Sequence, residues 1–306
     1  MRAKFTPFRL AESENCRNFA TLREKTQRMT TGKYLDPKAD LTFKKVFGEH
    51  PDLVMSLLNA LLPLDEGKQI EHVEYLTSEM VPENPGKKNS IVDVRCKETG
   101  GRHFIVEMQM NWNNEFQQRV ILNAAKAVVK QLGTSEDYSL LQPVYALNLI
   151  NDVGFDAGPD EFYHDYAIVN MEHTDRIIEG LRFVFVELPK FKPQTIKERK
   201  MAVLWLRFLT EVNRGTSEIP VELLENSETS KALKILEKSA YSDAELRAYE
   251  YYWDAVYNER GAIRHGYKQG LERGHAEDAR RMKADNMPVE LIAKYTGLTP
   301  EEIAVL

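Results

Sequence analysis

Three side chains in two short stretches could do chemistry together: Asp93 within "IVDVRCK", and Glu107 and Gln109 within "HFIVEMQM". Phe104, Ile105 and Val106 are residues of a buried strand, and Glu107 and Gln109 follow with only Met108 between them. Side chains two apart on a strand share a face, so this carboxylate and this amide point the same way. Asp93 is likewise an acid among apolar neighbours, where an unpartnered charge is costly to bury. If the two carboxylates meet, they repel each other unless something positive stands between them. An arginine or lysine could serve. Hard divalent cations prefer oxygen ligands of this kind, with water completing the shell, so the pair suggests Mg²⁺. If they do not meet, they are two solvated carboxylates on an exposed sheet face.

Hairpin register decides between these outcomes. A two-residue Thr99-Gly100 loop would pair Asp93 with Val106 and send Glu107 to the opposite face. A three-residue loop, Thr99-Gly100-Gly101, pairs Asp93 with Glu107 on one face. Such loops commonly use a left-handed glycine, which the sequence supplies, so the odd-length loop is the expected one. A helix over 115–132 follows, with Arg119, Asn123, Lys126 and Lys130 on one face and Val120, Ala124, Val128 and Leu132 on another. A basic stripe directly after the Glu107 strand could hold a phosphate backbone, or, for Lys126 and Lys130, simply be solvated. Asp40 stands one turn before Lys44, the spacing of an ordinary surface ion pair. His103 reads as a sheet-edge residue.

The elements that must position these groups are legible in outline. Two helices span roughly 40–62, the second ended by Pro63; strands are expected in "IEHVEYLTSEMVP", "IVDVRCK", "HFIVEMQM", "PVYALNLIND" and "LRFVFVELPKF". Strands bracketed by helices indicate an α/β fold. The chain divides by composition into a disordered tail at 1–30, a core at 31–193, a helical extension at 194–260 and a Gly-spaced helix with a short helical element at 261–306. Met29 reads as a fresh start. Gly266, Gly270 and Gly274 lie four apart, suiting either close helix approach or a weak connector. In the tail, Gly297 ends one helix and Thr299-Pro300-Glu301-Glu302 opens the next as a capping box. This has the rhythm of a helix-turn-helix, but the second helix is acidic, which suits packing or assembly better than base reading.

The bounds are those of a globular protein. The chain has 306 residues, 42% hydrophobic and 29% charged, with a net charge of −6, so any contact with nucleic acid must come from a local patch. Cys16 and Cys96 offer neither a zinc site nor a disulfide framework. Nothing approaches a membrane span or a signal-peptide core, which points to the cytoplasm.

The ordered set "DLTFKKVF", "LLNALLP", "FIVEMQM", "FQQRVILNAAKAVVKQL", "PVYALNLI", "ELPKF" and "IAKYTGLTPEEI" resembles the recombination-promoting nuclease/transposase (Rpn) family of the PD-(D/E)xK nuclease superfamily, over roughly residues 33–306. The resemblance implies a restriction-endonuclease-like mixed sheet flanked by helices, with an α-helical C-terminal extension. It implies a metal-dependent DNA endonuclease linked to recombination or mobile elements, with Mg²⁺ or another divalent cation such as Mn²⁺ as cofactor. Asp93 and Glu107 would be the acidic metal ligands, joined by the Met108 carbonyl. Asp40 would be an auxiliary ligand. Gln109 stands where the superfamily usually has lysine; it can neither carry charge nor accept a proton near pH 7, so it would only orient a water or a phosphate oxygen. Arg119, Lys126, Lys130 and Lys44 would contact the DNA backbone, and the C-terminal helices could mediate homo-oligomers. The alternative implied by the glutamine is a weak or inactive DNA-binding or assembly protein that retains the nuclease fold.

Overall fold

The computed structural model describes residues 32–79, 91–133, 135–193 and 200–306. The expectations for the N-terminal tail and for Met29 lie outside those residues.

The hairpin that carries the acids forms with the three-residue loop. Strand β2 (Val94–Glu98) runs antiparallel to β3 (His103–Gln109), with Val94 opposite Val106 and Cys96 opposite Phe104. The Glu98 N–H donates to the Arg102 carbonyl at 3.1 Å and the Gly101 N–H to the Glu98 carbonyl at 2.9 Å, which closes the turn. Gly101 has φ 94°, a backbone conformation that strains any residue bearing a Cβ. Gly101→Val is therefore expected to cost about 1–2 kcal/mol, read as a lowered urea midpoint at unchanged slope.

The sheet has six strands in the order β1-β2-β3-β4-β6-β5. The remaining four are β1 (Val73–Tyr75), β4 (Val144–Ile150), β5 (Tyr163–Val169) and β6 (Ile177–Glu187). β3, β4 and β6 are mutually parallel and form the centre, while β1 pairs antiparallel with β2 and β5 with β6. A parallel neighbour requires a crossover, and helix α3 (Phe116–Val129) supplies it between β3 and β4. α3 buries Phe116, Val120, Ala124 and Ala127 against Ile105, Ala146, Ile150 and Phe185 of one sheet face.

The opposite face presents Phe104, Val106, Leu147, Leu149, Val184 and Val186 to a larger apolar cluster. Helices α1 (Asp40–Phe43, running into a π turn over Lys44–Gly48) and α2 (Pro51–Leu61) bring Phe43, Phe47, Leu57 and Leu58 to it. So does α4 (Lys200–Glu211), whose Trp205 sits 5.4 Å from the Phe47 ring and donates its Nε1–H to Ser56 Oγ at 3.0 Å. The change in character after Pro193 is thus one of composition, because α4 and the helices α5 (Val221–Glu225) and α6 (Ser227–Ile235) pack into the same core. β5 has no counterpart among the strands expected from sequence. It is an edge strand of mixed polarity with a register shift between Ala167 and Ile168, so it lacks the apolar alternation that marks the other strands.

Two compact units divide at Tyr249/Glu250, within the 42-residue helix α7 (Asp243–Ala284). The helix runs unbroken through its glycines, and a Cβ built at Gly266, Gly270 or Gly274 would meet nothing within 4 Å. In the second unit, α8 (Val289–Thr296) and α9 (Pro300–Ala304) pack Ile292 and Ile303 with Ala279. Gly297 ends α8 at φ 72°, and Thr299 and Glu302 form the expected capping box. No helix among the described residues is long and apolar enough to cross a membrane.

Candidate active site

β2 begins only at Val94, immediately after Asp93, and that late start leaves room for the site. The odd residues of β3 turn their backbone groups toward β4, since the Gln109 carbonyl accepts from the Asn151 N–H at 2.8 Å and the His103 N–H donates to Pro143 at 2.9 Å. The even residues therefore turn toward β2. Met108 is the first of these to find no strand opposite. Asp93 Oδ2 fills the gap, accepting the Met108 N–H at 2.7 Å. In strand geometry the Met108 carbonyl is directed to the same side as its own N–H, the side on which Asp93 stands.

Glu107 belongs to the α3 face of the sheet and is only 6% exposed. Its Oε1 accepts from Asn123 Nδ2 at 2.8 Å, and its Oε2 lies 3.8 Å from the Arg119 guanidinium. Arg119 and Asn123 are one turn apart on α3 and so reach one strand residue together. Gln109 is engaged at both amide ends. Its Nε2 donates to the Asn111 carbonyl and its Oε1 accepts from Arg119, each at 2.5 Å. The Arg119 guanidinium also stands 4.9 Å from the centre of the Phe116 ring.

Asp93, Glu107, Met108, Gln109 and Arg119 together line a cleft of about 560 Å³, with Glu115 and Gln118 of the α3 start at its rim. Burial pushes the Asp93 carboxyl up to about 7 against the pull of the Met108 N–H, and the Glu107 charge adds to the rise. Burial also raises Glu107, which the Asn123 hydrogen bond and the Arg119 charge offset only in part. Two desolvated carboxyls share one cleft with too little positive charge. With a backbone carbonyl beside them they form a hard oxygen donor set, which a divalent cation would fit.

Other residues singled out in the sequence lie outside the cleft. Asp40 and Lys44 pair with each other at 2.6 Å, both partly exposed, and reach Asp93 only through their charges. Among the described residues, no three His, Cys, Asp or Glu side chains gather around one cation-sized point, so Asp40 does not join the Asp93–Glu107 pair. Lys126 is half-buried and Lys130 is exposed at the end of α3, two and three turns beyond Arg119. Asn123 does not extend the basic stripe, because it is buried on Glu107.

Asn148 is a residue that sequence reasoning missed. It sits beside Glu107 in the β3–β4 register, fully buried, with its Nδ2 donating to Ala146 and Val184 carbonyls at 3.1 Å. Among the described residues, neither its Oδ1 nor that of Asn123 has a partner. The only signal for it was a carboxamide within the apolar run "YALNLI".

No curated protein and no solved structure matches the chain significantly. A family model does: the one described as PD-(D/E)XK nuclease family transposase covers residues 37–266, three quarters of the chain, and takes in the whole sheet, α3 and the paired acids. With a mixed sheet flanked by helices and two acids lining one cleft where β2 begins, the chain belongs to the PD-(D/E)XK nuclease family transposases.

Proposed function

We propose that this chain is a divalent-cation-dependent endonuclease that hydrolyses phosphodiester bonds in DNA, acting in the cytoplasm in recombination or mobile-element biology. The observation that carries the reading is the convergence of Asp93 and Glu107 in one cleft, both desolvated and short of counter-charge. Asp93, Glu107 and the Met108 carbonyl would hold Mg²⁺ or Mn²⁺. When bound, the cation supplies a lowered pKa for a water molecule and a counter-charge for the phosphate.

The remaining work falls to the chain itself. The Met108 N–H fixes the Asp93 carboxylate, and Asn123 fixes that of Glu107, so neither must be ordered when substrate arrives. Gln109 cannot serve as a base, being neutral and bonded at both amide ends. Lys126, Lys130 and Lys44, which lie outside the cleft, would grip the phosphate backbone away from the reacting bond without reading sequence. The Gln109 geometry also supports a second reading, a DNA-binding protein that keeps the fold with little activity.

Nicking of supercoiled plasmid separates the two. Wild type with Mg²⁺ or Mn²⁺ is expected to relax the plasmid, while EDTA or Glu107→Ala reduces cleavage to background. Plasmid binding without cleavage under any divalent cation would establish the second reading instead.

A further inference from the structure

We infer that Arg119 supplies the positive charge at the reacting phosphate that position 109 lacks, and that Gln109 is the positioning residue that aims it. The inference rests on the nuclease reading and assigns roles within the same cleft. Four observations support it. Arg119 lines the cleft beside both acids. Its Nη2 donates to Gln109 Oε1 at 2.5 Å, and the guanidinium packs on the Phe116 ring, so its direction is set from two sides. Its side chain is 42% exposed, so the guanidinium is open to a ligand entering the cleft it lines. Its contact with Glu107 is long, at 3.8 Å, well beyond a charge-assisted hydrogen bond.

An arginine fork matches the oxygens of a phosphoryl group bidentately and stays charged at any working pH. The neutral side chain at 109 then acquires a reason. With its Nε2 anchored on the Asn111 carbonyl, Gln109 turns only its carbonyl oxygen toward α3, and that oxygen can accept from a guanidinium. A lysine at 109 would place an ammonium against Arg119. The charge has moved from the strand to the helix, and the amide has become its support.

Single-turnover plasmid cleavage with Mg²⁺ should be measured alongside DNA affinity by fluorescence anisotropy in Ca²⁺ over a salt series. Arg119→Ala is expected to lower the cleavage rate constant by about 10²–10³-fold, the loss typical of one preorganised charge-stabilising donor, with affinity and its salt slope nearly unchanged. Arg119→Lys should fall between, and millimolar guanidinium should partly restore Arg119→Ala. Gln109→Ala should cost about 10–100-fold, as for a supporting residue, and nothing further when added to Arg119→Ala. Gln109→Lys should impair the wild type yet improve Arg119→Ala by returning a cation to the strand.

Weaker binding with a shallower salt slope at an unchanged rate constant would make Arg119 a backbone grip and overturn the inference. Full multiplication of the Gln109→Ala and Arg119→Ala losses would overturn the positioning role. If wild type does not cleave, or Glu107→Ala cleaves as well as wild type, the nuclease reading itself fails and this assignment falls with it.

Discussion

Asp93→Asn is expected to abolish divalent-cation-dependent cleavage and at the same time to stabilise the metal-free protein at pH 8. Both effects come from one cause. Burial, reinforced by the Glu107 charge, lifts the Asp93 carboxyl from 3.8 to about 7. Its folded pKa exceeds its unfolded one, so the folded state holds the proton more tightly. Stability contributed by this group is complete below about pH 4, falls as pH rises toward 7, and is flat above. A tenfold difference in proton affinity is worth about 1.4 kcal/mol, so the ionised group costs the folded state up to about 4 kcal/mol at pH 8. Asparagine keeps an oxygen to accept the Met108 N–H and never ionises, so that cost disappears. Urea unfolding in EDTA at pH 4.5, 6 and 8 should show the two proteins converging at the acid end and Asp93→Asn ahead at pH 8. Mg²⁺ should then stabilise wild type and leave the variant unmoved, since only the ionised pair has an affinity to contribute. Equal stability at pH 8 would mean that Asp93 is better solvated than its position beside Met108 indicates.

The same carboxyl shows why much of the site was readable from sequence. A charged residue in an apolar strand is anomalous on its face, and Gly100-Gly101 favours the loop whose register pairs Asp93 with Glu107. These are local signals, and Gly101 at φ 94° with Val94 opposite Val106 answers them directly. What stayed hidden depends on which long side chains meet across elements. Periodicity places Arg119 and Asn123 on one helix face with Lys126 and Lys130 but carries no information on reach, so it neither separates Arg119 from lysines that lie turns away nor marks Asn123 as the partner of Glu107. The chemistry open to the Gln109 side chain is legible in the sequence, whereas its geometry depends on Asn111 and Arg119. β5 is not legible in the sequence because its register shift between Ala167 and Ile168 and its mixed polarity leave no apolar alternation. The helices after Pro193 differ in composition from the sheet, yet Trp205 and Phe208 bury in the same cluster as Phe43 and Phe47, since burial follows contact and not sequence neighbourhood.

Glu187→Ala is expected to cost about 3–5 kcal/mol in unfolding free energy, although Glu187 lies outside the cleft. This residue ends β6 and is 0% exposed. Its Oε1 accepts from the Gly154 and Phe155 N–H groups at 2.7 and 3.1 Å, and its Oε2 lies 2.7 Å from Lys190 Nζ and 2.9 Å from His164 Nε2. Alanine would strand a buried ammonium and two backbone donors at once. Glu187→Gln keeps an acceptor and should lose less.

Burial alone would raise the Glu187 carboxyl, but bonds from Lys190, Gly154, His164 and Phe155 outweigh it and hold the group below its ordinary range. Its stabilisation is therefore present above about pH 4.5 and lost as pH falls through the depressed folded value, an acid sensitivity that Glu187→Gln should lack. The loop that Glu187 fastens also reaches the site. Asp152 accepts the Trp112 N–H at 2.8 Å, and Gly154 lies so close under the Trp112 indole that a Cβ there would come within 2.0 Å of it. Trp112 in turn packs 5.9 Å from Phe116, the first residue of the helix that carries Arg119 and Asn123. A slackened loop lets that helix start move, so Glu187→Ala should lose cleavage at temperatures well below its own melting point, while Glu187→Gln retains it. Cleavage that tracks only the folded fraction of Glu187→Ala would show that α3 holds its place without the loop.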